Sequence, residues 1–428
     1  MEKFIPVWFG QVISLIGSGL TSFALGIWVY QNTQSVTQFA FIYLFAELPA
    51  LIVAPLAGVF ADRWDRRLIM ILSDTVSGLS TLSIALLMFA GQLNIWHIYL
   101  AVTISSICKG FQEPAYIAAI TQLVPKKHFG RASGMMQLGK AAGQLFSPLI
   151  AGMLAASIQV QGIILIDFAT FLFAQFTLLM IRFPKLEKAC KSNIKHTHLL
   201  NEITYGFTYI FARPGFLMLV IFFAITNFSV GIAQVLLTPM ILSFTNAQVL
   251  GIVLSIGGSG WLLGSILMSV KSGSKRRIHA LIGWELLLGL SILLMGLKPN
   301  VILITTTAFF AFFSIPIIIS SANSIWQVKV PPEVQGRVFA VRGMLSWSSF
   351  PLAYLFAGPM ADYLFEPLLA PSGALANTIG LLIGVGKGRG IGLLFILLGA
   401  FILLITVGAY QYPRFRLIED ELPDCVVD

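Results

Sequence analysis

The chain has 428 residues, a net charge of +9 and a mean hydropathy of +0.88. Charged residues make up only 11% and hydrophobic residues 57%, against about 25% charged in a soluble domain. That composition excludes a water-soluble globule and leaves lipid as the solvent.

A membrane-spanning helix needs about 20 apolar residues. Twelve such runs are present, at 6–30, 39–60, 68–90, 95–123, 132–156, 160–182, 215–243, 248–270, 278–297, 300–327, 338–365 and 389–411. In lipid the backbone must satisfy its own hydrogen bonds, so these runs are expected to be helices. The strict alternation of a membrane barrel is absent. Loops 61–67, 125–131, 183–213, 271–277 and 329–337 hold most of the Lys and Arg, whereas 31–38, 91–94, 157–159 and 244–247 hold none. Cytoplasmic loops carry the excess of basic residues. The pattern predicts a multi-pass protein of the plasma (inner) membrane with both termini in the cytoplasm. It also accounts for the positive charge without nucleic acid. The first run is too long for a signal peptide and lacks its cleavage site. Cys108, Cys190 and Cys425 give no disulfide framework.

In chain order, the first helix carries Gly10, Gly17, Gly19 and Gly26 with Ser14, Ser18 and Ser22, small residues that allow close helix approach. Gln11 is its one strongly polar side chain. The second brings Glu47 two residues before Pro49, where the acid would satisfy a backbone group freed by the proline. The third opens with Asp74 and is otherwise apolar. The fourth contains Lys109 and Glu113, four apart and able to pair. The fifth contains Lys140 and Pro148, and the sixth Asp167. Residues 183–213 form the one long polar connection, with a short amphipathic interfacial helix expected at 204–211. The division expected is an N-terminal bundle over 1–182, a cytoplasmic linker over 183–213, a C-terminal bundle over 214–411 and a tail over 412–428. The Gly/Pro-rich stretch 366–390 reads as a flexible or re-entrant external cap, and the acidic tail after Arg416 as disordered.

The second half repeats the first. Gly58 maps to Gly264, Pro125 to Pro331, Gly130 and Arg131 to Gly336 and Arg337, and Ala151 and Gly152 to Ala357 and Gly358, each 206 residues on. Duplicated transporter halves show such repeats. Asp62 maps to Met268, so the second loop keeps its basic residues and loses the acid.

Between the second and third helices stand Gly58, Asp62, Arg63, Arg66 and Arg67. This resembles the loop signature of the major facilitator superfamily, roughly Gly-x-x-x-Asp-Arg-x-x-Arg-Arg. In helix five, Gly143, Ser147, Pro148, Ala151 and Gly152 resemble the superfamily's antiporter motif with Ser and Ala for two glycines. Val124, Pro125, Gly130 and Arg131, with Asp167, resemble its macrolide-efflux and enterobactin-exporter branch. The resemblance implies an all-α membrane fold of twelve helices in two pseudo-symmetric six-helix bundles. It also implies export of a bulky amphipathic compound (macrolide-like drug or siderophore) by proton antiport and alternating access. One departure stands out: the family often has an Arg nine residues before the helix-four proline, and that position is Ser105.

An ionisable group inside a membrane helix is a functional hypothesis by default, and a buried carboxyl can hold a proton near neutral pH. Glu47, Glu113 and Asp167 are the proton-coupling candidates, with Lys109 and Lys140 as charge partners. Glu285 in helix nine reads as peripheral. Asp62 would act as a conformational latch with Gly58, Arg66, Arg67 and Arg337 through the helix-eleven N-terminus; the plainer alternative is a local turn cap. Arg66 and Arg67 would hold the loop at lipid headgroups. Phe41, Tyr43, Phe45, Trp261, Phe309, Phe313, Trp326 and Trp347 are candidate cavity aromatics. No cofactor or metal is expected, His196 and His198 being a weak pair. The partners expected are a small amphipathic substrate, protons and the bilayer, with the protein monomeric. The alternatives are an uncoupled lipid or lysolipid facilitator of the same fold and, remotely, a membrane-embedded enzyme.

Overall fold

The computed structural model describes residues 4–125, 128–155, 157–181, 199–270, 276–331 and 334–421. The side chains of a few helical positions, Asp62 and Arg63 among them, lie outside the described residues. No strand occurs among those described, and the chain is a succession of helices. The first six are α1 (Phe4–Thr33), α2 (Val36–Arg63), α3 (Arg66–Phe89), α4 (Ile95–Leu123), α5 (Phe129–Ala155) and α6 (Gln159–Met180). A shorter α7 (Leu199–Phe211) precedes α8 (Pro214–Leu242), α9 (Ala247–Val270), α10 (Arg277–Leu297) and α11 (Val301–Lys329). The next span is interrupted: α12 (Gln335–Trp347) and α13 (Ser349–Pro359) lead into a π-helical turn (Met360–Phe365). Short α14 (Glu366–Leu368) and α15 (Gly380–Ile383) then precede α16 (Arg389–Gln411), α17 (Pro413–Arg416) and α18 (Ile418–Glu421). With α7 and the short pieces set aside, these are twelve spans. Among the described residues nine are long and apolar enough to cross a membrane by a strict test of length and hydropathy.

The repeat is visible in the elements. α4 and α11 begin at 95 and 301 and end at 123 and 329, 206 residues apart at both ends. The chain divides into two compact units, one of residues 1–189 with 245–255 and one of residues 190–244 with 256–428.

Helix ends are set by side chains that take up orphaned backbone groups. The expected charge-dense loop at 61–67 shrinks to two residues, Trp64 and Asp65, because α2 runs on to Arg63. Asp65 caps α3, accepting from the N–H groups of Arg67 (2.8 Å) and Leu68 (3.3 Å). Asn300 caps α11 in the same manner. Arg67 donates to the carbonyls of Leu178 (3.0 Å) and Leu179 (2.8 Å) at the end of α6. It is therefore a C-terminal cap on a neighbouring helix, and not a headgroup anchor alone.

Beside Pro49 the α2 backbone is bonded by another helix. Ser106 of α4 donates to the Ala46 carbonyl (2.7 Å) and accepts from the Ala50 N–H (3.0 Å). Sequence reasoning gave this task to Glu47, which is exposed and has no described hydrogen bond.

The stretch 366–390 folds into consecutive turns. Glu366 accepts from the N–H groups of Gly388 and Ile391, both at 3.0 Å, and so caps α16. Gly388 has φ +81°, and a Cβ there would lie 2.0 Å from Ser243 Oγ. The tail corrects the expectation of disorder as far as Glu421, beyond which the chain lies outside the described residues. Phe415 and Ile418 are fully buried. Glu419 accepts from the N–H groups of Arg277 (3.2 Å) and Ile278 (3.0 Å) at the start of α10, and its carbonyl accepts from Lys329 of α11.

Candidate functional site

Two buried acids of the first unit bond to polar side chains of α1. Gly10 and Gly17 let α1 lie directly on α6: a Cβ at Gly17 would sit 2.1 Å from Thr170 Oγ1. That approach brings Ser18 to Asp167, which is 4% exposed and accepts the Ser18 hydroxyl at 3.2 Å. Two turns earlier on the same face, Gln11 donates through Nε2 to Asp74 Oδ2 of α3 at 3.1 Å. Gln112 of α4 donates to the other oxygen, Oδ1, at 2.5 Å and to Gln11 Oε1 at 3.1 Å. Asp74 is 8% exposed. One carboxyl thus ties α1, α3 and α4 through two amides. Every bond is side chain to side chain, so a change in charge on Asp74 alters three helices at once.

Sequence reasoning noted Asp74 and Gln11 separately and did not join them. Positions 11, 74 and 112 share no local spacing, so only the packing reveals the cluster.

The other candidates lie apart. Glu113 Oε1 meets Lys140 Nζ of α5 at 2.5 Å, with both side chains about half exposed. The expected partner Lys109 is exposed and has no described bond to Glu113. The i, i+4 spacing permits that pair, but the nearer cation across the helix boundary takes the acid. Ser105, at the position where the family often has an Arg, joins Ser77 and Ser80 of α3 through hydroxyl contacts of 3.1 Å.

Of the latch residues, the side chain of Asp62 lies outside the described residues, and Gly58 falls in α2. Arg337 is exposed in the first turn of α12, its guanidinium 5.8 Å from the ring centre of Tyr205. Arg66 is half-buried.

The helix-five motif is a packing face. Gly143 faces Leu15 of α1, and Ser147 donates to the Ile16 carbonyl at 3.0 Å. Ala151 is fully buried. A Cβ at Gly152 would stand 2.9 Å from the Ala247 carbonyl, and one at Gly251 2.4 Å from the Pro148 carbonyl.

Among the aromatics, Phe41 and Phe45 cluster on Tyr99 at 6.4 and 5.1 Å. Trp326 is fully buried, stacked on Phe216 at 4.3 Å under Arg342 at 5.2 Å. It is packed in the interior of the second unit. Glu285, read as peripheral from sequence, is 2% exposed inside the second unit. His196 and His198 lie outside the described residues. Among the described residues no group of three His, Cys, Asp or Glu is placed to hold a metal ion.

Twelve lipid-suited spans in two halves, with buried acids inside them, define a polytopic membrane transporter. A sequence profile of the Major Facilitator Superfamily matches residues 7–354, and the chain belongs to that family. It is 25% identical over 370 residues to Macrolide efflux protein A of Streptococcus pyogenes, covering 84% of this chain and 89% of the relative. It is 22% identical over 362 residues to Multidrug efflux pump Tap of Mycolicibacterium fortuitum, covering 83% and 88%. Among solved structures, a bacterial homologue of the human lysosomal transporter Spinster superposes with a TM-score of 0.71 at 14% identity, covering 99% and 98% of the two chains. The relatives and structural neighbours are transporters, and the protein is not an enzyme.

Proposed function

We propose that this chain is a secondary exporter of bulky amphipathic compounds of the macrolide kind, driven by proton antiport through alternating access. It would reside in the plasma (inner) membrane as a monomer with both termini in the cytoplasm. The observation that carries the coupling is the pair of buried carboxyls bonded to one helix, Asp74 through Gln11 and Asp167 through Ser18. Carboxyls buried in a membrane protein mark ion pathways and proton relays. Loading and unloading a proton there changes the bonds that hold α1 to its neighbours. Each charge moved inward gains about 2.3 kcal/mol per 100 mV of membrane potential. Glu47 and Glu113, with Lys140 beside the latter and Lys109 one turn away, are the accessible relay groups of this reading. Asp62, with Gly58, Arg66, Arg67 and Arg337, is its conformational latch. The substrate class rests on the relatives named for macrolide and multidrug efflux.

The test is uptake into everted vesicles of a panel of macrolides, siderophores and lysolipids, with the pH gradient imposed or collapsed by nigericin. Gradient-dependent uptake of a macrolide is the expected result. Uptake indifferent to the gradient overturns antiport and assigns an uncoupled facilitator.

A further inference from the structure

Glu285 is the ninth residue of α10, as Asp74 is the ninth residue of α3, and these are the third spans of the two repeats. Both carboxyls are buried, but their surroundings differ. Asp74 has two glutamine amides. On the 206-residue register Gln112 maps to Ile318, itself buried, and Asp74 to Ala280, so Glu285 shares the helix position of Asp74 and not its place in the repeat. Glu285 Oε2 meets no hydrogen-bond partner among the described residues.

Glu285 also lies on a glycine seam. Gly289 and Gly296 of α10 face Gly399 and Gly392 of α16. A Cβ at Gly296 would be 2.1 Å from the Gly392 carbonyl, and one at Gly399 2.6 Å from the Gly289 carbonyl. Residues 285, 289, 292 and 296 share one face of a 3.6-residue helix. The antiparallel register of the two glycine pairs brings Glu285 opposite the turn 402–406 of α16. The polar side chain of that turn, Thr406, donates back to its own helix at the Ile402 carbonyl, 2.7 Å away. An unpaired carboxylate in such a place costs far more than a neutral carboxyl.

The ionisable groups on elements packed against α10 are committed elsewhere. Lys329 and Glu419 bond to each other, and Glu419 to the first turn of α10. Arg389 donates to the carbonyls of Gly296 and Leu297 at the last turn. His279 of α10 meets Tyr410 of α16 edge to face, ring centres 6.0 Å apart. Arg277 on α10 and Asp420 and Glu421 on α18 stand at the same end as Glu419. None of these groups is hydrogen-bonded to Glu285 among the described residues.

We propose that Glu285 is a proton-binding residue of the second unit, holding a proton while the α10–α16 seam is closed and releasing it when the seam opens. This rests on the antiport reading above. The ligand is a proton because the site offers a single carboxyl and no further described donor set for a metal cation. The consequence is a proton site in the second half as well as in the first, with Asp74 held by amides and Glu285 held by packing alone.

Two measurements test it. In wild-type protein in detergent, dicyclohexylcarbodiimide, which attacks protonated carboxyls in apolar settings, is expected to label Glu285. Labelling should fall at least fivefold from pH 6 to pH 9, read by peptide mass spectrometry. No labelling at pH 6 overturns the proposal without need of a variant. In everted vesicles, Glu285→Gln is expected to lose at least tenfold in gradient-driven erythromycin uptake. It should keep downhill efflux within threefold and show a flattened pH profile. A variant with the wild-type pH profile and uphill rate overturns the role of Glu285 and leaves antiport standing. Wild-type vesicles that ignore the gradient overturn the antiport reading and this one together.

Discussion

Asp74 is held by amides from two other helices, one on each carboxyl oxygen, and an asparagine offers only one oxygen to accept them. Asp74→Asn therefore keeps one of the two acceptors, sets an NH2 donor against the other amide, and removes the titrating proton. Substrate binding within about threefold of wild type is the expected result, with gradient-driven uptake reduced at least tenfold; vesicle uptake and equilibrium binding report the two separately. Gln112→Leu should act differently, because it leaves an acceptor of Asp74 without its donor inside the bundle. Its expected signature is a lower thermal midpoint as well as lower transport. Asp167 was legible as a lone acid in an apolar run. The Asp74 cluster was not, since burial partners 63 and 38 residues away leave no trace in local spacing. The same blindness left Lys140, expected as a charge partner, without its acid: the i, i+4 rule sees Lys109 beside Glu113 on one helix and cannot see Lys140 on the next.

Helices and their order were readable because lipid leaves so few options. Their ends and breaks were less so. Ser106 bonds the α2 backbone beside Pro49 from outside that helix, and a serine in an apolar run carries no sign of such a task. Ser106→Ala should cost about 0.6 kcal/mol and at most roughly 1.7 kcal/mol, the range for interhelical hydrogen bonds in membranes, measured by unfolding in detergent. The α10–α16 seam is more sensitive. Gly296→Leu would drive a side chain into backbone at Gly392, and loss of folded protein in size-exclusion profiles is expected. At the same end of this seam, burial pushes the Glu366 carboxyl above the ordinary glutamate range, against the lowering by its two backbone N–H bonds. The folded state then binds more protons than the unfolded chain between the ordinary value and the raised one. Stability accordingly falls as pH rises through that window. A thermal midpoint that declines with pH in wild type and is flatter in Glu366→Gln is the expected outcome.

The duplication was legible from matched Gly, Pro and Arg positions, and α4 with α11 keeps the spacing of 206 residues in the folded chain. The chemistry of the two halves was not, because the copies have diverged where it matters. The first half satisfies Asp74 with amides, and 206 residues on Asp74 gives way to Ala280 and Gln112 to Ile318. Such divergence predicts unequal sensitivity: neutralising Asp74 should alter helix packing as well as coupling, whereas neutralising Glu285 should alter coupling with little change in thermal midpoint. Paired melting curves of Asp74→Asn and Glu285→Gln measure the contrast.

The docked end of the chain bears on how the protein is handled. Phe415 and Ile418 are buried, and Glu419 closes the first turn of α10. A fluorescent or affinity tag spliced in before Glu421 would strip that helix of its terminal anion and lower yield for reasons unrelated to transport, whereas a tag joined after Asp428 keeps the anchor intact.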